Sequence, residues 1–279
     1  MNDRQKVIID CDPGIDDSLA LMLALTSPEL EVVGITTVSG NVPSDMGAKN
    51  ALKILNHLDR LDIPVYQGAA TPLKRDYVDA MDTHGEDGLG ESYLPEVSGV
   101  PIHDNAIEFI NQTLADNPNL TIIALGPLTN IALAYQTQPD VWNNCTRFVS
   151  MGGNFKSFGN CSPVAEYNYW CDPDAANYVY QHLQEFKLIF CCSAGTEYED
   201  YLDRLGEIEE SYYLEFVRKY GQDKMTVDPF FIHVFCRAGW QTIYEVVMHN
   251  RTYKEAQSFM DSTVLFNRAG WKAVMGIEK

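Results

Sequence analysis

Short apolar runs alternate with helix-period patterns through the first 195 residues of this 279-residue chain. The runs at 6–10 (KVIID), 31–38 (EVVGITTV), 64–67 (PVYQ), 120–125 (LTIIAL), 146–151 (TRFVSM) and 187–192 (KLIFCC) predict strands. Between them, apolar residues at helical spacing predict helices over 16–26, 45–58, 103–116, 127–137 and 173–185. Strand–helix alternation of this kind predicts an α/β fold, with a mainly parallel central sheet flanked by helices and a Rossmann-like core. Two stretches break the rhythm. Residues 68–100 are rich in Gly, Asp and Glu, and 152–172 run GGNFKSFGNCSPVAEYNYWCD. Loops this long inside a compact domain tend to be functional or disordered. After residue 197 the pattern changes to long amphipathic helices, 199–220 and 229–248, with no further clear strand. No Pro/Gly/Ser linker intervenes, so 1–279 reads as one domain: an α/β core over 1–195 and a helical C-terminal part over 196–279.

Where the first strand ends, the pattern places something costly. Asp10, Asp12, Asp16 and Asp17 fall within VIIDCDPGIDDSLALMLAL, across a Pro13-Gly14 turn and into the first turn of the next helix. Carboxylates this close repel one another unless a cation or tight hydrogen bonding neutralises them. The C-terminal end of a strand is also where open α/β sheets place their ligands. Favourable placement at a helix N-terminus accounts for Asp16 and Asp17, but not for all four acids. Asp12 and Asp17 are the best-placed direct cation ligands, and an all-oxygen set favours calcium or magnesium over zinc. A bound cation would make a coordinated water more acidic, and a neighbouring carboxylate could take its proton.

Composition narrows the partners. A formal net charge of −19 makes nucleic acid and anionic membrane surfaces unsuitable and suits a cation or a neutral small molecule. No run is long and apolar enough to span a membrane, and MNDRQKVIID lacks the apolar core of a signal peptide. The seven cysteines show no CxxC pair and no zinc-like spacing, which fits free thiols in a reducing cytoplasm.

Asp10 and Asp12 form a DxD resembling that of haloacid-dehalogenase-type phosphatases, which use magnesium. The immediate Pro13-Gly14 and the extra Asp16-Asp17 pair have no place in that scheme. DCDPGIDDSLALMLAL resembles instead the N-terminal signature of the inosine-uridine-preferring nucleoside hydrolase family, whose members hydrolyse the N-glycosidic bond of ribonucleosides. TTVSGN (36–41), HGEDGLG (84–90), LGPLTNIALA (125–134), MGGN (151–154) and AEYNYWCDPDAA (165–176) resemble further family blocks, in order. The resemblance covers about 6–195 and thins afterwards.

It implies a calcium-dependent ribonucleoside hydrolase of nucleoside salvage, a homodimer or homotetramer. Asp12 and Asp17 match the family's calcium-binding carboxylates, with Asp10 in support. Asp12 also matches the general base, and Asp16 a residue that holds the ribose hydroxyls. Leu125 matches the position whose backbone carbonyl binds calcium. Asn41, Asn160, Glu166 and Asn168 match polar residues around the ribose or metal, and Met151 a residue near the sugar. Asp228, in TVDPFF, matches the last calcium ligand and a substrate contact. Breaking the N-glycosidic bond builds oxocarbenium character on the ribose, which such a set can orient and stabilise.

The chain departs from the family at Val227, where many members carry a His that helps protonate the leaving base and purine-specific ones an aromatic residue. His84 matches a family histidine near the base pocket and is the strongest replacement. His233, Tyr169, Trp170 and Tyr220 are further candidates for handling the base. This departure motivates a second reading, a catalytically weak nucleoside- or ribose-binding relative.

Overall fold

The computed structural model describes residues 4–153, 160–163, 165–183 and 188–191. Among the described residues seven strands form one sheet: β1 Gln5–Cys11, β2 Leu30–Thr37, β3 Val65–Gln67, β4 Ile102–His103, β5 Leu120–Ala124, β6 Cys145–Met151 and β7 Leu188–Cys191. Their spatial order is β4-β3-β2-β1-β5-β6-β7, and every pairing is parallel. The helices are α1 Ile15–Thr26, α2 Ser44–His57, α3 Met81–His84, α4 Ala106–Asp116, α5 Thr129–Thr137, α6 Tyr167–Cys171 and α7 Pro173–His182, with a 3₁₀ turn at Pro139–Asn144.

The core lies in two layers, because successive strand side chains point to opposite faces. Val7, Ile9 and Cys11 of β1 pack with Leu19, Leu23, Ile54 and Leu55 of α1 and α2. Ile8, between them, packs on the other side with Ile110, Leu114 and Ile131 of α4 and α5. The chain builds outward from β1 through β2, β3 and β4, then returns to the other side of β1 with β5. A switch point between β1 and β5 follows, the position where sheets of this kind leave a crevice beyond the strand ends.

The six predicted strands and five predicted helices are present, with ends shifted by a few residues. One boundary is corrected. His103 belongs to the edge strand β4, not to the helix predicted from 103. Asn105 adopts a left-handed backbone (φ 68°), which no helix interior accommodates, so α4 starts at Ala106. Short helices α3 and α6 lie inside the two stretches that break the sequence rhythm; five residues or fewer give too little periodicity to detect. The helices predicted over 199–220 and 229–248 lie outside the described residues. Among the described residues no helix is long and apolar enough to cross a membrane.

Candidate functional site

All four aspartates are buried at the C-terminal end of β1, Asp10 on the strand itself and Asp12, Asp16 and Asp17 just past it. Alternation along β1 sends Asp10 to the Ile8 side, where its Oδ1 accepts hydrogen bonds from Thr36 Oγ1 (2.5 Å) and Asn130 Nδ2 (2.8 Å). Asp12 lies just past the strand, and its Oδ2 accepts the Asn41 backbone N–H at 2.6 Å. Asn41 Nδ2 reaches Asp17 Oδ2 at 3.4 Å, so one residue touches both best-placed cation ligands. Two glycines make room for Asp12: a Cβ at Gly40 would overlap its Oδ2, and one at Gly126 would lie 2.5 Å from its Oδ1. Any side chain at either position would push the carboxylate out of place.

Three carboxylate oxygens in this group, Asp10 Oδ2, Asp12 Oδ1 and Asp16 Oδ1, are buried without a hydrogen-bond partner. Leaving such groups unmet is costly, and a protein tolerates it where something else binds them. The proton affinities agree. Burial, together with the charge of Asp17, pushes the Asp12 carboxyl well above the usual range. Burial and the charge of Asp16 push Asp17 up to about 8, and burial pushes Asp10 up to about 7. Asp16 is raised by burial, against the opposing influence of His84. Clustered, desolvated, oxygen-only donors fit a hard divalent cation, whose charge would reverse these shifts. Among the described residues no three His, Cys, Asp or Glu side chains form a finished metal cage.

The far wall comes from β5, β6 and α6. The Leu125 carbonyl accepts Asn168 Nδ2 at 2.7 Å and keeps a second lone pair. The same amide approaches the Met151 carbonyl (3.2 Å) and sulfur (3.0 Å), joining three of the residues matched in sequence. Glu166 caps α6: its carboxylate accepts the N–H groups of Asn168 (3.0 Å), Tyr169 (3.3 Å) and Gly153 (2.8 Å). Burial outweighs these bonds and raises its pKa to about 7. Asn160 is exposed, and no described hydrogen bond ties it to the cluster. Val227, Asp228, His233 and Tyr220 lie outside the described residues.

His84, at the end of α3, is buried against the start of α1. Its Nδ1 accepts the Ile15 N–H at 3.1 Å and stands 3.9 Å from Asp16 Oδ1. The N-cap residue of α1 is Gly14, which has no side chain to offer, so the imidazole supplies the missing acceptor. His84→Ala should therefore cost about 1–2 kcal/mol of stability, read as a lowered melting temperature. An unchanged melt would reject the capping role. Tyr169 shares a hydrogen bond with Ser150 (3.1 Å), while Trp170 lies under the Arg75 guanidinium, 5.4 Å from the ring centre. An open cleft beside them is lined by Arg75, Asp76, Val78, Trp170 and Cys171.

Sequence reading missed the supports. Asn130 and Thr36 hold Asp10. Asp172 accepts from Leu73 N–H (2.8 Å) and Thr129 Oγ1 (2.6 Å), and Tyr167 donates towards the Gly40 and Val78 carbonyls. Several of these lie in the matched blocks, but one sequence gives a buried Asn or Tyr no visible role until its partners are known.

A parallel α/β sheet with an acidic, oxygen-lined site at its switch point defines a class of small-molecule-binding proteins. The sequence pattern of the inosine-uridine preferring nucleoside hydrolases matches residues 7–265, and the chain belongs to that family. Membership decides against the phosphatase reading of the DxD. The chain is 46% identical over 176 residues to the pyrimidine-specific ribonucleoside hydrolase RihA of Salmonella typhimurium, covering 63% of this chain and 56% of that protein. Among solved structures, a plant nucleoside hydrolase superposes with a TM-score of 0.65 at 38% identity, covering 68% of this chain and 60% of its own. A purine-preferring ribonucleoside hydrolase from Gardnerella vaginalis gives 0.64 at 32%, covering 67% and 60%. The chain thus spans little more than half the length of the curated relatives it matches.

Proposed function

We propose that this protein hydrolyses the N-glycosidic bond of ribonucleosides to ribose and free base, with calcium as its cofactor. The observation that carries the reading is the set of three buried carboxylate oxygens, of Asp10, Asp12 and Asp16, that no hydrogen bond meets. Asp12, Asp17, the Leu125 carbonyl and Asp228 would hold the cation, with Asp10 in support. Once bound, it would neutralise the cluster and acidify a water in its shell.

The protein's own groups do the rest. Asp12, fixed through Oδ2 by Asn41, keeps Oδ1 to take the proton of the attacking water. The water oxygen bonds to C1′ as the C1′–N bond breaks, and the base leaves with the bonding pair as an anion that takes a proton from solvent, to which Asp12 later returns the one it received. Asp16 holds the ribose hydroxyls, helped by Asn160, Glu166, Asn168, Asp228 and, against the sugar, Met151. Such a grip grows stronger as charge develops on the ring. His84 assists the departing base by a hydrogen bond from Nε2. With Nδ1 filled by the Ile15 N–H, giving that proton away outright would leave an imidazolate. Relatives divide by base: one is named pyrimidine-specific and another purine-preferring.

Incubation with inosine, uridine, adenosine and guanosine, with and without a calcium chelator, tests the proposal. Ribose release that the chelator abolishes is the expected result. Tight nucleoside binding without ribose release would instead make the protein a binding relative that has lost turnover, the reading that Val227 motivates.

A further inference from the structure

Asn130 stands in the first turn of α5, fully buried, and its side-chain amide meets three separate parts of the chain. Nδ2 donates to Asp10 Oδ1 at 2.8 Å and to the Thr37 carbonyl, at the end of β2, at 3.0 Å. Oδ1 accepts the N–H of Ala69 at 2.8 Å, where the chain leaves β3 for the long 68–80 segment. Gly68 is built around this amide: a Cβ there would overlap Asn130 Oδ1 and lie 2.5 Å from both Nδ2 and the Thr37 carbonyl. The Gly68 N–H donates to that same carbonyl at 2.8 Å, so segment and amide share an anchor.

We propose that Asn130 is a positioning residue for the acidic cluster, setting the site's cation affinity by fixing Asp10 and the departure of the 68–80 segment together. With Thr36, it fills Asp10 Oδ1 and leaves Oδ2 as the oxygen with unmet capacity. Removing a partner that orients a metal site's ligands from behind typically costs about 10–100-fold in metal affinity. An amide suits this place because it gives two hydrogens and takes one, matching two acceptors and one donor. Aspartate could donate nothing there while ionised, and leucine would leave all three partners unmet.

A buried, satisfied asparagine can also be purely structural, and the protein contains a control for that. Asn111 in α4 makes three comparable bonds, to the Ala134 carbonyl (2.9 Å), Thr137 Oγ1 (2.9 Å) and Trp142 Nε1 (3.1 Å), none of them to a carboxylate. The inference rests on the cation-binding part of the proposed function. Titration of the full chain with Ca²⁺ alone, by calorimetry after chelator treatment, tests it. Asn130→Ala should raise the Ca²⁺ Kd about tenfold or more. Asn111→Ala should lower the melting temperature but leave that Kd unchanged. Gly68→Ala, which pushes the amide aside, should raise the Kd in the same direction, and it decides the matter if Asn130→Ala does not fold. An unchanged Kd in the folded variants, or an equal shift in Asn111→Ala, overturns the proposal. Wild-type protein that binds Ca²⁺ but releases no ribose defeats the hydrolase reading alone; wild-type protein that binds none overturns both.

Discussion

Asp12→Asn should lower ribose release by about a thousandfold or more, and should also raise the melting temperature of the cation-free protein. The two effects have one cause. Asp12 is fully buried between Gly40 and Gly126, close to Asp17 and Asp16, with no hydrogen-bond donor on Oδ1. An amide of the same size still accepts the Asn41 N–H but cannot take a proton from water. It also removes one acid from a group whose members repel, so the empty site becomes cheaper to fold. Ribose assays at saturating nucleoside and calcium read the first effect, and thermal melts in chelator the second. Near-normal turnover would reject Asp12 as the base. Lost turnover with a lowered melt would mean that its carboxylate is a structural support.

The second large effect is on pH dependence, and its direction is unusual for a protein so rich in acids. Asp10 and Asp17 titrate at about 7 and about 8 when folded, and Asp12 and Asp16 are raised as well. In an unfolded chain an aspartate titrates near ~4. Between those values the folded protein holds more protons than the unfolded one, so stability falls as pH rises through the window. Cation-free protein should melt highest near the acid end and progressively lower from about pH 5 to about pH 8. Calcium should restore the loss, with the largest shift at the alkaline end, because metal binding needs the carboxylates ionised. Melting curves across this range, with chelator and with calcium, measure both slopes. A cation-free melt that climbs with pH would show the aspartates to be satisfied without a metal.

The fold was legible to the extent that it was periodic. Runs such as KVIID and LTIIAL are strands because both faces of the sheet are covered, and helix-spaced Leu19, Ala20 and Leu23 build α1 against them. The carboxylates were legible because four acids crowded just beyond an apolar strand repel one another, and a bound cation offsets that repulsion most simply. What bears on them was not. Asn130 lies 120 residues from Asp10 in sequence, and the pair meets only because β5 returns beside β1. His84 matches a histidine near the leaving base, yet its Nδ1 serves a helix end 69 residues away. One sequence cannot show which of several buried polar residues will face one another once the sheet is assembled.

The 68–80 segment has a consequence for how this protein can be changed. Surface connections usually absorb extra residues without complaint. Here Ala69 is tied to Asn130, Leu73 to Asp172, Tyr77 to the Gly40 carbonyl, and the Val78 carbonyl to Tyr167. Each tie leads back within a step or two to an aspartate or to the glycine beside one. A residue inserted between Ala69 and Val78 would fall between two of these closely spaced attachments and put them out of register. Length variation and engineered fusions are better directed to Ser98 and Gly99, both exposed, where a Cβ added at Gly99 would meet nothing within 4 Å. The segment that reads most like a loose cover is in effect part of the frame.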